Sequence, residues 1–131
     1  MTISLIACSR SKRLGAAVAR ELYQGERFKR AYAYSLLHGY EPYILSAKHG
    51  LLSSEQEIEP YDESLADITQ SARHAWAENI VSLLQKRGLM NTSIVVLAED
   101  LYALPLKSIL PNASYPLLGL SEVEQRMFLS T

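Results

Sequence analysis

Two short polar stretches gather the side chains of this sequence that can do chemistry: Cys8-Ser9-Arg10-Ser11-Lys12 and Ser46-Ala47-Lys48-His49-Gly50. In the first, Ser9 and Ser11 offer hydroxyls and Lys12 a positive charge. Successive backbone N–H groups in a tight turn there form a nest suited to phosphate or carboxylate. It is not a Walker loop, because Gly15 is the only nearby glycine and no Gly-Lys-Ser/Thr follows. Basic neighbours would lower the pKa of Cys8 and make it a nucleophile. A lone cysteine closing a buried strand is more often a small core residue, and that reading is preferred. In the second stretch His49 is a general acid or base near neutral pH, and Lys48 a charge stabiliser or an amine nucleophile. Gly50 supplies a residue free to take positive φ. Glu57-Ile58-Glu59-Pro60-Tyr61-Asp62 follows closely. Glu59 and Asp62 are available for acid–base work, and Tyr61 or Tyr23 for stacking on a base. His38 and His74 fall on expected helices, and with His49 they give no metal-ligand spacing, so neither a metal nor a cofactor is expected.

These stretches need elements that bring them together. Thr2 to Cys8 is short, β-branched and apolar on both faces, the pattern of a buried parallel strand. A helix is expected from Gly25 to His38 with Gly39 as its stop, and a strand from Pro42 to Ser46. Residues 53–67 read as an ordered loop. A long helix capped by Thr69 or Ser71 runs to Gly88, with Trp76, Ile80 and Leu84 on its buried face. Ser93 to Ala98 is the clearest strand, followed by a helix from about Asp100 to Leu110, broken or kinked at Pro105. Ala113 to Leu118 is a further extended piece. Ser121-x-x-Glu124 has capping-box spacing and opens a last helix to about Leu129.

Strands alternating with helices imply an α/β fold: a single three-layer domain over residues 1–131 with a small, mostly parallel sheet. Ligands of such sheets bind beyond the carboxyl ends of the strands. Cys8, Ser46 and Ala98-Glu99 all stand at expected carboxyl ends, so they should share one edge.

With 131 residues and one cysteine, the chain has material for one core and none for an internal disulfide. No apolar run approaches the ~18 residues of a membrane span. No basic flank precedes the first apolar run and no cleavage site follows it, so the expected compartment is the cytoplasm. Net charge is −1, yet residues 1–50 carry +5 and residues 51–131 carry −6. That polarity suits a basic mouth for an anionic ligand better than a surface tracking a long duplex.

The same residues carry a resemblance. Cys-Ser-x-Ser-Lys after a strand, Ala19-Arg20-Glu21-Leu22-Tyr23-Gln24-Gly25, Leu45-Ser46-Ala47-Lys48-His49-Gly50-Leu51-Leu52, Glu59-Pro60-Tyr61-Asp62 and Pro116-Leu117-Leu118-Gly119-Leu120 together resemble a bacterial and phage domain family of unknown function. More distantly, Leu-Ser-x-x-x-Gly followed by Pro-Tyr is similar to the YaaA peroxide-stress proteins, which are DNA-associated. Cys8-x-x-x-Lys12 resembles a motif of archaeosine synthases, which modify a deazaguanine base in tRNA; only those two residues match. The chain departs from the family pattern where Glu99 follows Ala98 and where Val123-Glu124-Gln125 replaces Gly-x-Gln.

The resemblance implies a fold like that of uracil-DNA glycosylases and a nucleotide- or nucleobase-containing ligand. It implies chemistry on a base or glycosidic bond, or else a non-catalytic DNA-binding accessory role. On this reading Cys8, Ser9, Ser11, Lys12, Tyr23, Ser46, Gly50 and Tyr61 hold the ligand. Lys48, His49, Glu59 and Asp62 face the reacting centre.

Overall fold

The computed structural model describes residues 1–8 and 12–130. Ser9, Arg10 and Ser11 of the first polar stretch therefore lie outside the described residues. At the centre stands β1 (Thr2–Ala7), with β3 (Glu41–Ser46) on one side and β6 (Ser93–Leu97) on the other, both parallel to it. The register aligns Ile6 with Ile44 and with Leu97, so the three carboxyl ends lie level. A fourth strand, β4 (Gly50–Ser53), turns back antiparallel on β3 and gives the order β4-β3-β1-β6. The sheet is small and mostly parallel, as its sequence pattern implies.

Alternation along β1 feeds two separate cores, which is why the strand reads as apolar on both faces. Ile3, Leu5 and Ala7 meet Trp76, Ala77, Ile80 and Leu84 of α3 (Gln70–Lys86) and Ala103 and Leu106 of α4 (Asp100–Lys107). Ile6 faces the other way, toward Phe28, Ala31 and Tyr34 of α2 (Glu26–Leu37) and Leu129 of α5 (Glu122–Leu129). The result is three layers, helix on sheet on helix. Ser4 is fully buried on the second face, and its hydroxyl accepts from the Ser35 hydroxyl at 2.8 Å. No helix among the described residues is long and apolar enough to cross a membrane.

The helix signals act where they stand in the sequence. The Thr69 hydroxyl accepts from the Ala72 N–H to open α3. Ser121 and Glu124 form a complete capping box on α5. Three expectations are corrected. Pro105 does not break α4, which runs through it and ends two residues later at Lys107. The extended piece from Ala113 to Leu118 contributes a single parallel bridge, Ser114 with Val95, in place of a strand. The fourth strand is Gly50–Ser53, whose apolar Leu51 and Leu52 are shared between the two cores. Within the expected loop 53–67, β5 (Glu57–Ile58) pairs antiparallel with β2 (Ala17–Val18), which runs into the single turn α1 (Ala19–Leu22). Leu65–Asp67 closes that loop as a 3-10 turn, its Ser64 hydroxyl accepting from the Ala66 N–H.

Candidate functional site

Between β1 and β3 the chain crosses by α2 on one face of the sheet; between β4 and β6 it crosses by α3 on the other. The chain leaves β1 for α2 on one face and leaves β6 for α4 on the other, so the carboxyl ends of β1 and β6 flank the topological switch point of the sheet, where open α/β folds form a crevice. A cleft of about 450 Å³ occupies that place. Ala7 and Cys8 form its floor at the end of β1, Leu97 and Glu99 its β6 side, and Gly25 to Phe28 at the start of α2 one wall. Ser64 and Ala66 of the 3-10 turn close the opposite wall.

Cys8 is half-buried there, anchored by its backbone N–H to the Leu45 carbonyl at 3.0 Å. Its sulfur lies 3.3 Å from the Tyr102 hydroxyl. Burial pushes the Tyr102 phenol well above the ordinary tyrosine range, so it stays protonated and able to donate to the sulfur. The packing reading of Cys8 is therefore incomplete: the residue is a strand-end packer that also faces the cleft.

Beside the cleft lies a second polar group, largely sealed from solvent. The Tyr23 and Tyr61 hydroxyls share a 2.6 Å hydrogen bond, and Tyr61 shares another of 2.6 Å with the Ser46 hydroxyl. Ser46 Oγ also accepts from the His49 backbone N–H at 3.0 Å, and the Ser46 carbonyl accepts from Trp76 Nε1 at 2.9 Å. Ser46 is 0 % exposed and Tyr61 7 %. Burial raises the Tyr23 phenol to about 12, and burial, followed by the nearby Cys8, raises that of Tyr61 further. Lys12 bridges antiparallel to Tyr23, placing its Nζ 4.5 Å from the centroid of the Tyr61 ring and 5.8 Å from that of Tyr23. The His49 ring meets Tyr61 edge-on at 5.3 Å.

The residues singled out in the sequence thus fall into three sets. Cys8 lines the cleft. Lys12, Tyr23, Ser46, His49 and Tyr61 form the adjoining cluster, in which both tyrosine rings are covered and Ser46 is enclosed while His49 is exposed at its edge. Stacking a base on Tyr61 would require Lys12 to move off its face. Lys48, Glu59 and Asp62 are exposed and do not line the described cleft. Gly50, at φ +76°, lets the chain reverse into β4 against α3. Partial desolvation, then the charge of Lys48, lowers the His49 pKa, while Glu63 opposes both. His49 is therefore neutral at pH 7, the form a general base needs. Among the described residues no three His, Cys, Asp or Glu side chains gather as a metal-binding group.

The cleft also holds residues that the sequence pattern did not assign to the site. Arg27 sits at its mouth between two carboxylates, 2.9 Å from Glu99 and 3.1 Å from Glu122. Those three residues tie α2 to the start of α4 and the start of α5. Glu99 had a signal, since it follows the carboxyl end of an expected strand. Arg27 had none, because on the helix it reads as one of several surface cations.

Neither a curated protein nor a solved structure matches the chain. A family profile does, over residues 3–131: a family of unknown function, DUF6884. Nearly the whole α/β domain falls within that match, so the chain belongs to the DUF6884 family.

Proposed function

We propose that this protein binds a nucleotide or nucleobase in the strand-end cleft and acts on the base or its glycosidic bond. The observation that carries the reading is the cleft itself, a cavity of about 450 Å³ at the switch point between β1 and β6. Small-ligand sites run from about 300 to 1,000 Å³, and open parallel sheets hold them at this edge. The basic first half of the chain meets this edge through Lys12 and Lys48, which supports an anionic phosphate end on the β3 side. Cys8 and Tyr102 stand at the floor, and this reading assigns acid–base work to neutral His49 and to the exposed carboxylates of Glu59 and Asp62, which lie outside the cleft lining.

Calorimetry with AMP, GMP, CMP and UMP tests this. The expected result is binding of at least one, lost in Ala66→Trp, which plugs the cleft from an exposed wall residue. Lys48→Ala, at an exposed site, should weaken that binding about tenfold and leave Tm unchanged. Absence of binding to all four, or undiminished binding by Ala66→Trp, would overturn the reading. The charge split between the two halves supports one second reading, a non-catalytic DNA-binding accessory protein. That role gives a gel shift that weakens steeply with salt and survives Ala66→Trp.

A further inference from the structure

The mouth of the cleft on the β6 side is rich in hydrogen-bond acceptors, while its guanidinium group and a second one in the adjoining recess are already engaged. Arg27 is held by Glu99 and Glu122, and Arg30 by Glu26 at 2.8 Å and the Ser130 hydroxyl at 3.2 Å. Arg126 is exposed on α5 at the same end. Glu122 is 84 % exposed, but Glu99 is only 35 % exposed and its carboxylate is clamped against the cleft by Arg27. A second acceptor stands close by. Gln125 is 5 % exposed, and its Nε2 donates to the Leu120 carbonyl at 3.0 Å. Its Oε1 is buried with no hydrogen-bond partner among the described residues. Gln125 lines a recess of about 120 Å³ between α2 and α5, and this recess shares Glu26, Arg27 and Glu122 with the cleft. A buried acceptor without a donor is costly, and native proteins rarely leave one unmatched.

We infer that the β6 side of the cleft reads the donor-bearing end of the ligand, with Glu99 as its specificity-determining residue. This rests on the nucleotide reading above and sets the ligand's orientation: phosphate toward Lys12 and Lys48, donors toward Glu99. A fixed carboxylate accepts two parallel hydrogen bonds, so its match is a pair of neighbouring N–H or O–H groups. Two parts of a nucleoside present such a pair: the N1–H and amino group of guanine, and the vicinal hydroxyls of ribose. Arg27 is a positioning residue, holding the carboxylate toward the cleft. Gln125 Oε1 takes a further donor in the recess.

The test measures affinities of guanosine, inosine and 2′,3′-dideoxyguanosine by calorimetry for the wild-type protein and Glu99→Gln. Gln keeps the shape but replaces one acceptor with a donor, and the half-exposed site tolerates it, with Tm as the check on folding. The wild-type protein should prefer guanosine about tenfold over inosine if the base edge is read, or over the dideoxy compound if the diol is read. Glu99→Gln should bring that same ratio close to one. Guanosine binding with both wild-type ratios near one, or a preference that persists in Glu99→Gln, overturns this inference and leaves the cleft reading standing. Failure of every nucleoside and nucleotide to bind overturns both.

Discussion

Tyr61 shows how one side chain can be misread when only its type is known. In sequence it is an aromatic in an acidic loop, available to stack on a base. In the folded chain it is a buried crosspiece whose hydroxyl links Tyr23 to Ser46 and whose ring carries Lys12 on its face and His49 at its edge. Its first task is to fix where Lys12 and His49 stand. Tyr61→Phe keeps the ring but leaves the buried Tyr23 and Ser46 hydroxyls short of a partner. It should cost about 1–3 kcal/mol in chemical denaturation. A loss under about 0.5 kcal/mol, within the usual range for surface changes, would show that the hydroxyl chain does not brace this edge.

At the scale of elements, the turn from β3 into β4 is the clearest case of a motif with two meanings. Ser-Ala-Lys-His-Gly reads as a chemical cluster, and it is also the hairpin that makes Leu51 and Leu52 an edge strand. Gly50 takes φ +76°, and a Cβ there would lie 3.0 Å from both Asn79 Nδ2 and Leu83 Cδ1 on α3. Gly50→Ala therefore combines backbone strain with a clash and should cost about 2–4 kcal/mol. Gly39, at φ +73° with nothing near its Cβ position, provides the contrast. There the same change should cost only the strain, about 1–2 kcal/mol. Equal losses at the two sites would show that the hairpin does not depend on its fit against α3. The long helices and the three parallel strands were legible because their periodicity and caps are local properties. β4 was not, because four residues of apolar sequence are too few to show a period.

For the whole molecule, the sheet order decides which loops meet. Buried phenols are spread along that arrangement: Tyr23 and Tyr61 beside the carboxyl edge, Tyr102 at the cleft, and Tyr115 against the Leu110 carbonyl at 2.6 Å. Burial raises all four, Tyr23 and Tyr115 to about 12. A phenol raised on folding stays neutral in the folded chain after the unfolded chain has begun to release its proton near the ordinary value of 10.0. The unfolded state then binds fewer protons, so stability is full below pH 10 and is lost as pH climbs through 12. Thermal melts should hold level from pH 8 to 9.5 and fall steeply beyond pH 10. Absorbance of tyrosinate should rise in step with unfolding for these four groups. Their titration near pH 10 in the folded chain, without loss of Tm, would contradict the packing that encloses these phenols.

The sequence by itself determined the α/β class, the parallel strands ending in polar residues, the principal helices with their caps, and the glycine at the hairpin. Each follows from spacing over a few residues, which fixes backbone conformation locally. Only the tertiary structure decided which of those polar residues face a cavity. Placing β1 between β3 and β6 opened the cleft on the β6 side, where Cys8 meets Tyr102 and shares the lining with the Arg27–Glu99 pair. The same placement enclosed Ser46, Tyr23 and Tyr61 in a hydrogen-bonded support beside it. Burial and pairing between residues as far as 100 positions apart, such as Arg30 and Ser130, depend on strand order and crossover faces, which no local pattern encodes.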